Sequence, residues 1–252
     1  MPRTHANARF ERRTEVTAES PTLIVGMPEN GVVGSIAVEQ ITEQLELQHE
    51  GNIVSETFPP VATFGEGRVR DLVRVYAGTD PDVVVPHCDI ALSPQANADL
   101  AACVVNDLAA DYDRAIVLAA VPAQTEEQVG EVTGVVTSEA AENELRTAGV
   151  ELDSSVGFIG GASGAVLNDC YHASVPTTAL IVKAHPFLPD PQAAKAVIEK
   201  ALEPLVDFDI DTKRLDEQAD EIRRRMEQVA QHFESVQSGG EQYLGEDTSM
   251  YQ

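Results

Sequence analysis

The chain has 252 residues, enough to bury a substantial core, and carries a formal charge of −25 from 17 Lys+Arg against 42 Asp+Glu. That charge repels a phosphate backbone, and with no basic stripe to overcome it, nucleic acid is excluded as a partner. Hydrophobic residues make up 43 % but aromatic ones only 5 %, with no Trp, so the core has to come from Val, Ala, Leu and Ile, which suits buried strands covered by helices.

Residues 1–20 hold Arg3, Arg9, Arg12 and Arg13 without an apolar run and are expected to be a flexible lead-in. The run Thr22–Gly26, the turn Met27–Asn30 and apolar positions at Val33, Ala37, Ile41 and Leu45 predict strand, turn and helix in order. Ile53–Val54, Val61–Phe64 and Val69–Tyr76, with the turn Gly65-Glu66-Gly67, predict an antiparallel hairpin insertion. Val83–Val85 opens the next buried strand. Ser93 then caps a helix that starts near Pro94 and runs to about Tyr112, and Ala115–Val121 is an unbroken apolar run of the parallel-sheet kind. Further on, Val132–Thr137 reads as a strand, Ser138–Thr147 as a capped helix and Val156–Ile159 as a strand ending in Gly160-Gly161. A helix to His172, a strand over Thr177–Val182 and a helix from Pro191 to about Leu205 follow. The alternation predicts an α/β domain over 21–210, with a mostly parallel sheet and helices on both faces.

Beyond it, Leu215, Ala219, Ile222, Met226, Val229, Phe233 and Val236 are spaced 4, 3, 4, 3, 4, 3. This is a heptad seam on a long helix over 211–237, and the seam packs either on the chain's own sheet or on another copy. Ser238-Gly239-Gly240 breaks the pattern, and 238–252 is expected to be a flexible tail that reaches about 50 Å when extended.

Cys88, Cys103 and Cys170 form neither a C-x-x-C pair nor a disulfide framework, and no run of about 18 apolar residues marks a membrane span. A cytoplasmic protein is expected. Only four of the basic residues are Lys, and an acidic, Lys-poor surface suits concentrated salt, where the Debye length falls to about 3 Å and exposed acids repel weakly. The six His show no metal-binding spacing, so neither a metal nor a cofactor is expected.

Two glycine-rich segments invite a catalytic reading. Gly26-Met27-Pro28-Glu29-Asn30-Gly31 has the glycine spacing of a P-loop, yet Val32 and Val33 stand where Lys and Ser/Thr are needed. Of a dinucleotide-binding trio only Gly31 and Gly34 are present. Turn formation with Asn30 as helix cap, or a small anion at the helix N-terminus, are the readings left. Gly161-Ala162-Ser163-Gly164-Ala165 falls one residue short of a nucleophile elbow, so Ser163 is a cap or packing residue in one reading and a nucleophile in the other. His87, Cys88 and Asp89 lie at the C-terminal end of a strand, but neighbours on a strand point to opposite faces and do not all converge on one substrate.

From Thr22 to about Val229 the order of elements resembles the proteasome assembly chaperone 2 family, most specifically at Gly26-Met27-Pro28 with Gly31 and Gly34. Gly157-Phe158-Ile159-Gly160-Gly161-Ala162-Ser163-Gly164 and Leu188-Pro189-Asp190-Pro191 carry the rest of the likeness. The resemblance implies a non-catalytic α/β fold similar to the purine nucleoside phosphorylase type. It also implies homo-oligomers, expected as trimers or tetramers, and a role in assembling or engaging the proteasome α-ring. Separately, the final Met250-Tyr251-Gln252 resembles the hydrophobic-Tyr-X terminus of proteasome activators. That likeness implies insertion between α-subunits, with the terminal carboxylate on a Lys and the Tyr ring in an amphipathic pocket. The alternative is a small-ligand binder or enzyme using Gly26, Met27, Pro28, Gly31, Gly34, Gly160, Gly161, Ser163 and Gly164.

Overall fold

The computed structural model describes residues 7–16, 20–108 and 111–225. It divides into two units, 1–212 and 213–252. In the first, an eight-stranded sheet runs in the order β1-β3-β6-β7-β2-β8-β10-β9. The strands are β1 (Ala8–Arg12), β2 (Thr22–Gly26), β3 (Gln48–Ser55), β6 (Val73–Thr79), β7 (Asp82–Cys88), β8 (Arg114–Pro122), β9 (Val132–Val136) and β10 (Thr177–Ala184). A small hairpin of β4 (Thr63–Gly65) and β5 (Arg68–Arg70) stands apart from it.

The central strands β7, β2, β8 and β10 are parallel, and the flanking pairings are antiparallel. All five residues of β2 are buried, as a strand sandwiched between helix layers requires. The pleat assigns alternate residues to the two layers. Leu23, Val25, Ala115 and Val117 share a core with Leu100, Val104, Val166 and Cys170 of α2 (Pro94–Asn106) and α4 (Gly161–Ala173). Their equally buried neighbours Ile24, Ile116 and Leu118 face the other side, where α1 (Val33–Gln44) lies on β2 and β8 and α5 (Pro191–Val197) on β10. A third helix, α3 (Glu139–Thr147), is capped by Ser138, whose hydroxyl accepts from Ala141 N at 3.2 Å.

Helix ends follow local chemistry. Ser93 caps α2, and Asp190 caps α5 with Oδ1 accepting from Ala193 N at 3.0 Å, followed by Pro191 in the first turn. After α5 the chain widens into a π-helical turn, Ile198–Leu202, before α6 (Glu203–Val206). Pro204 explains the widening, because it has no N–H to offer the carbonyl four residues back.

Four expectations need correction. Residues 8–12, expected inside a flexible lead-in, form the edge strand β1, because Ala8 and Phe10 turn toward the core while Arg12 reaches Glu50 and Asp111. The expected strand over Val69–Tyr76 is split at Asp71-Leu72, so that β5 pairs with β4 and β6 joins the main sheet. The helix after Pro94 stops at Asn106, short of Tyr112. Val156–Ile159 is not a strand: Val156 and Phe158 are almost fully exposed, and β1 and β9 occupy the sheet edges.

In the second unit, residues 213–225 are helical, with Leu215, Ala219 and Ile222 at spacings that align them on one side. Met226, Val229, Phe233 and the terminal Met250-Tyr251-Gln252 lie outside the described residues.

Candidate functional site

The connection leaving β2 runs through α1 to β3 on one side of the sheet, whereas β8, entered from α2, lies on the other. Loops part at such a switch point, and ligands of open α/β sheets bind at the carboxyl ends of the strands there. A cleft of about 770 Å³ opens at this position, walled by Met27, Pro28, Ile90, Leu92, Phe158 and Phe187 among others. Both glycine-rich segments border it, so the structure does bring together the two loops that the sequence singles out.

Three of their glycines, Gly26, Gly34 and Gly164, serve close backbone packing. A Cβ on Gly26 would stand 2.2 Å from the carbonyl oxygen of Gly34, so the pair lets α1 lie directly over the end of β2. On Gly164 it would stand 2.1 Å from the carbonyl oxygen of Ile159. Gly31, with φ of 63°, is followed by Val32 at φ 51°, a strained position for a β-branched residue. Two hydrogen bonds hold the strain: Val32 N donates to Glu29 O at 2.9 Å, and Asp190 N donates to Gly31 O at 2.9 Å.

Asn30 was the expected helix cap, but its amide Nδ2 donates to Ala120 O of β8 at 3.1 Å, and α1 starts without a side-chain cap. The capping carboxylate of the site is Glu29, and it caps a different helix. Its Oε1 accepts from Ser163 N at 3.1 Å, at the positive N-terminus of α4. Burial raises the Glu29 carboxyl above its ordinary value, while the Ser163 and Ala162 amides pull it down. A Cβ on Gly161, which has φ of 65°, would stand 2.1 Å from that same Oε1. The chain's own side chain thus takes the position an anion would take at α4.

Ser163 does not face the cleft as a nucleophile. It is fully buried, and its hydroxyl donates to Leu118 O at 2.9 Å. His87 near the end of β7 and Asp89 just beyond it converge on the buried Arg74. Arg74 Nη2 donates to His87 Nδ1 at 2.7 Å and to Asp89 Oδ1 at 2.8 Å, and Nη1 donates to Asp89 Oδ2 at 2.7 Å. Because a guanidinium can only donate, His87 is neutral with Nδ1 as acceptor. Burial, then the Arg74 charge, push its imidazole down to about 4. Cys88 points the other way into the core, where burial pushes its thiol up to about 11. The trio is an ion-pair anchor and a core residue, without the geometry of a triad.

Sequence reasoning missed Glu29, whose partner is 134 residues away, and it missed Arg74 as the hub of His87 and Asp89. Asp190, in the pattern Asp-Pro before a helix, carries a capping signal of the same local kind as Ser93 and Ser138. Among the described residues no group of three or more His, Cys, Asp or Glu could hold a metal ion, and no helix is long and apolar enough to cross a membrane.

Comparison with known proteins extends this picture over the chain. The model of the PAC2 family matches residues 23–230. An uncharacterised protein of Methanocaldococcus jannaschii is 25 % identical over 237 residues, covering 93 % of this chain and 96 % of its own. PbaA of Pyrococcus furiosus, described as an archaeal homolog of proteasome-assembly chaperone, superposes with a TM-score of 0.81 at 25 % identity, covering 94 % of this chain and 97 % of PbaA. PbaB of the same organism, described as an archaeal proteasome activator, shares the fold with a TM-score of 0.78 at 21 % identity, covering 90 % of this chain and all of PbaB.

Proposed function

The chain belongs to the PAC2 family, and on that premise we propose that it is a non-catalytic proteasome-assembly or core-particle-docking protein that works as a homo-oligomer. The observation that carries the reading is the match along nearly the whole chain to PbaA, in fold and at a quarter of its residues. The site chemistry supports the non-catalytic half. Ser163 has its proton committed to a core carbonyl, Glu29 is spent on capping α4, and His87 is bound to Arg74.

Docking is assigned to Met250-Tyr251-Gln252, which enters a pocket between α-subunits of the ring. A Tyr ring buries much apolar area and keeps one hydroxyl for a partner. One such tail binds weakly, but several carried by an oligomer gain from effective concentration. Pull-down of core particles at molar salt tests this. The full chain captures them, and removal of 250–252 or Tyr251→Ala abolishes capture with the fold intact; equal capture by the truncated chain removes the mechanism.

The cleft favours a second reading, a binder of nucleosides or other small ligands. A ligand that binds only the native state raises its melting temperature, so a thermal shift with nucleosides, nucleotides or phosphate would bring this reading forward.

A further inference from the structure

The cleft at the carboxyl ends of the parallel strands is bordered by a buried polar group without a partner among the described residues. Asn97 stands early in α2, where its backbone N donates to Ser93 O at 2.9 Å, and it lines the cleft although it is only 8 % exposed. Its Nδ2 donates to Leu92 O over a long 3.5 Å, and its Oδ1 accepts no hydrogen bond among the described residues. A buried carbonyl oxygen without a donor opposes folding, and native chains rarely keep one without a use for it. Because Nδ2 is weakly held, a small turn of the amide about the Cβ–Cγ bond presents Oδ1 to a donor arriving in the cleft.

The other polar position of the cleft is already filled. At the N-terminus of α4, Ser163 N donates to Glu29 Oε1 at 3.1 Å, and the bare backbone of Gly161 makes room for that carboxylate, since a Cβ there would stand 2.1 Å from Oε1. Amides at such a helix end are a ready seat for the phosphate or carboxylate of a ligand. With Glu29 in the seat an incoming anion meets a like charge, and among the described residues that line the cleft there is no Lys, Arg or His to offset it. Glu29 therefore selects by exclusion.

The rest of the wall is apolar and aromatic. Met27, Ile90 and Leu92 line it, as do Phe158 and Phe187, which are almost fully exposed. These two rings belong to a set of six exposed apolar side chains at this end of the sheet, the others being Val61, Phe64, Val69 and Val156. The loop that carries Phe187 is pinned: His185 Nδ1 accepts from Phe187 N and from Leu188 N, each at 3.2 Å, and His185 N donates to Asp190 Oδ2 at 2.7 Å. A ring presented on a fixed loop can stack on a ligand at little ordering cost. At about 770 Å³ the cleft lies within the range of small-ligand sites, roughly 300–1,000 Å³.

We propose that the cleft binds an uncharged, flat ring that carries N–H donors and no phosphate, with Asn97 Oδ1 accepting from the ring, Phe158 and Phe187 packing against it, and Glu29 turning anionic compounds away. The inference rests on the small-ligand reading above and narrows it to one chemical class with two named determinants.

Thermal unfolding of the full chain with adenine, adenosine, AMP or inorganic phosphate, each at millimolar concentration, tests it. Adenine and adenosine should raise the melting temperature of the wild type, and AMP and phosphate should leave it unchanged. Asn97→Leu should weaken adenine binding about tenfold, read by calorimetry, without lowering the melting temperature of the free chain, because it removes an orphaned oxygen and only one long bond. Glu29→Ala vacates the seat at α4, so phosphate should raise its melting temperature. Glu29→Gln, which keeps an oxygen for Ser163 N, should stay blind to phosphate. If Glu29→Ala does not fold, Glu29→Gln and Asn97→Leu decide the matter. A wild type stabilised by AMP or phosphate as much as by adenosine, a folded Glu29→Ala that ignores phosphate, or adenine binding untouched by Asn97→Leu would overturn this inference and leave the small-ligand reading standing. No response of the wild type to any of the four compounds would retire both.

Discussion

On the β8–β10 side of β2, buried strand residues are almost all aliphatic: Ile24, Val25, Ile116, Val117, Leu118, Leu180 and Val182. On the β3–β6–β7 side the same sheet buries Glu50, Asn52 and Arg74. Glu50 is matched by Arg12, Asn52 donates to Asp71 Oδ2 at 2.6 Å, and Arg74 is matched by Asp89. The parallel strands carry helices on both sides, and burial of apolar area is enough to hold them. The antiparallel strands lie toward an edge and near the hairpin, where partly wet polar groups are held by partners, Glu50 through Oε1 while its buried Oε2 has no hydrogen bond among the described residues. One half therefore depends on shape and the other on pairing.

Breaking a pair should cost most. Asp89→Ala leaves the Arg74 guanidinium buried without its carboxylate and should destabilise the fold by about 3–5 kcal/mol, read from urea unfolding. Next comes shape. Gly26→Ala drives a Cβ into the Gly34 carbonyl oxygen and the Val38 side chain, backbone and core with no room to yield, and should cost about 3 kcal/mol in the same measurement.

The smallest effect separates the halves by pH. His87 has its pKa lowered from 6.5 to about 4, so between those values the unfolded chain takes up a proton that the native chain refuses. Its contribution is complete above pH 6.5 and is lost on acidification toward pH 4, by roughly 2 kcal/mol after allowance for partial solvent screening. Asp89 adds a loss of the same sign at lower pH, since Arg74 outweighs burial and holds its carboxyl below the usual value. His87→Asn should flatten the stability profile between pH 6.5 and 4 while sparing β8 and β10, as hydrogen exchange would show.

The parallel half was the legible half. Runs such as Ala115–Val121 and caps such as Ser93 and Ser138 are local signals, and the elements they predict are present. The antiparallel half is less so: β1 reads as a lead-in because Arg9, Glu11 and Arg12 hide the alternation of Ala8 and Phe10. At the site, the glycines gave the position of both loops but not their purpose. Gly26, Gly34 and Gly164 are small because backbone passes close by, and a close approach leaves no mark in the sequence beyond the glycine itself.

By itself the sequence determined the alternation of strands and helices, the acidic surface and the family likeness, because periodicity, capping and composition act over a few residues or over the whole chain at once. Only the tertiary structure decided that Glu29 caps a helix 134 residues away, that His87 and Asp89 serve Arg74, and that six scattered apolar side chains share one end of the sheet. Those are matters of which distant segments meet, set by strand order and crossover direction, and no local pattern encodes them.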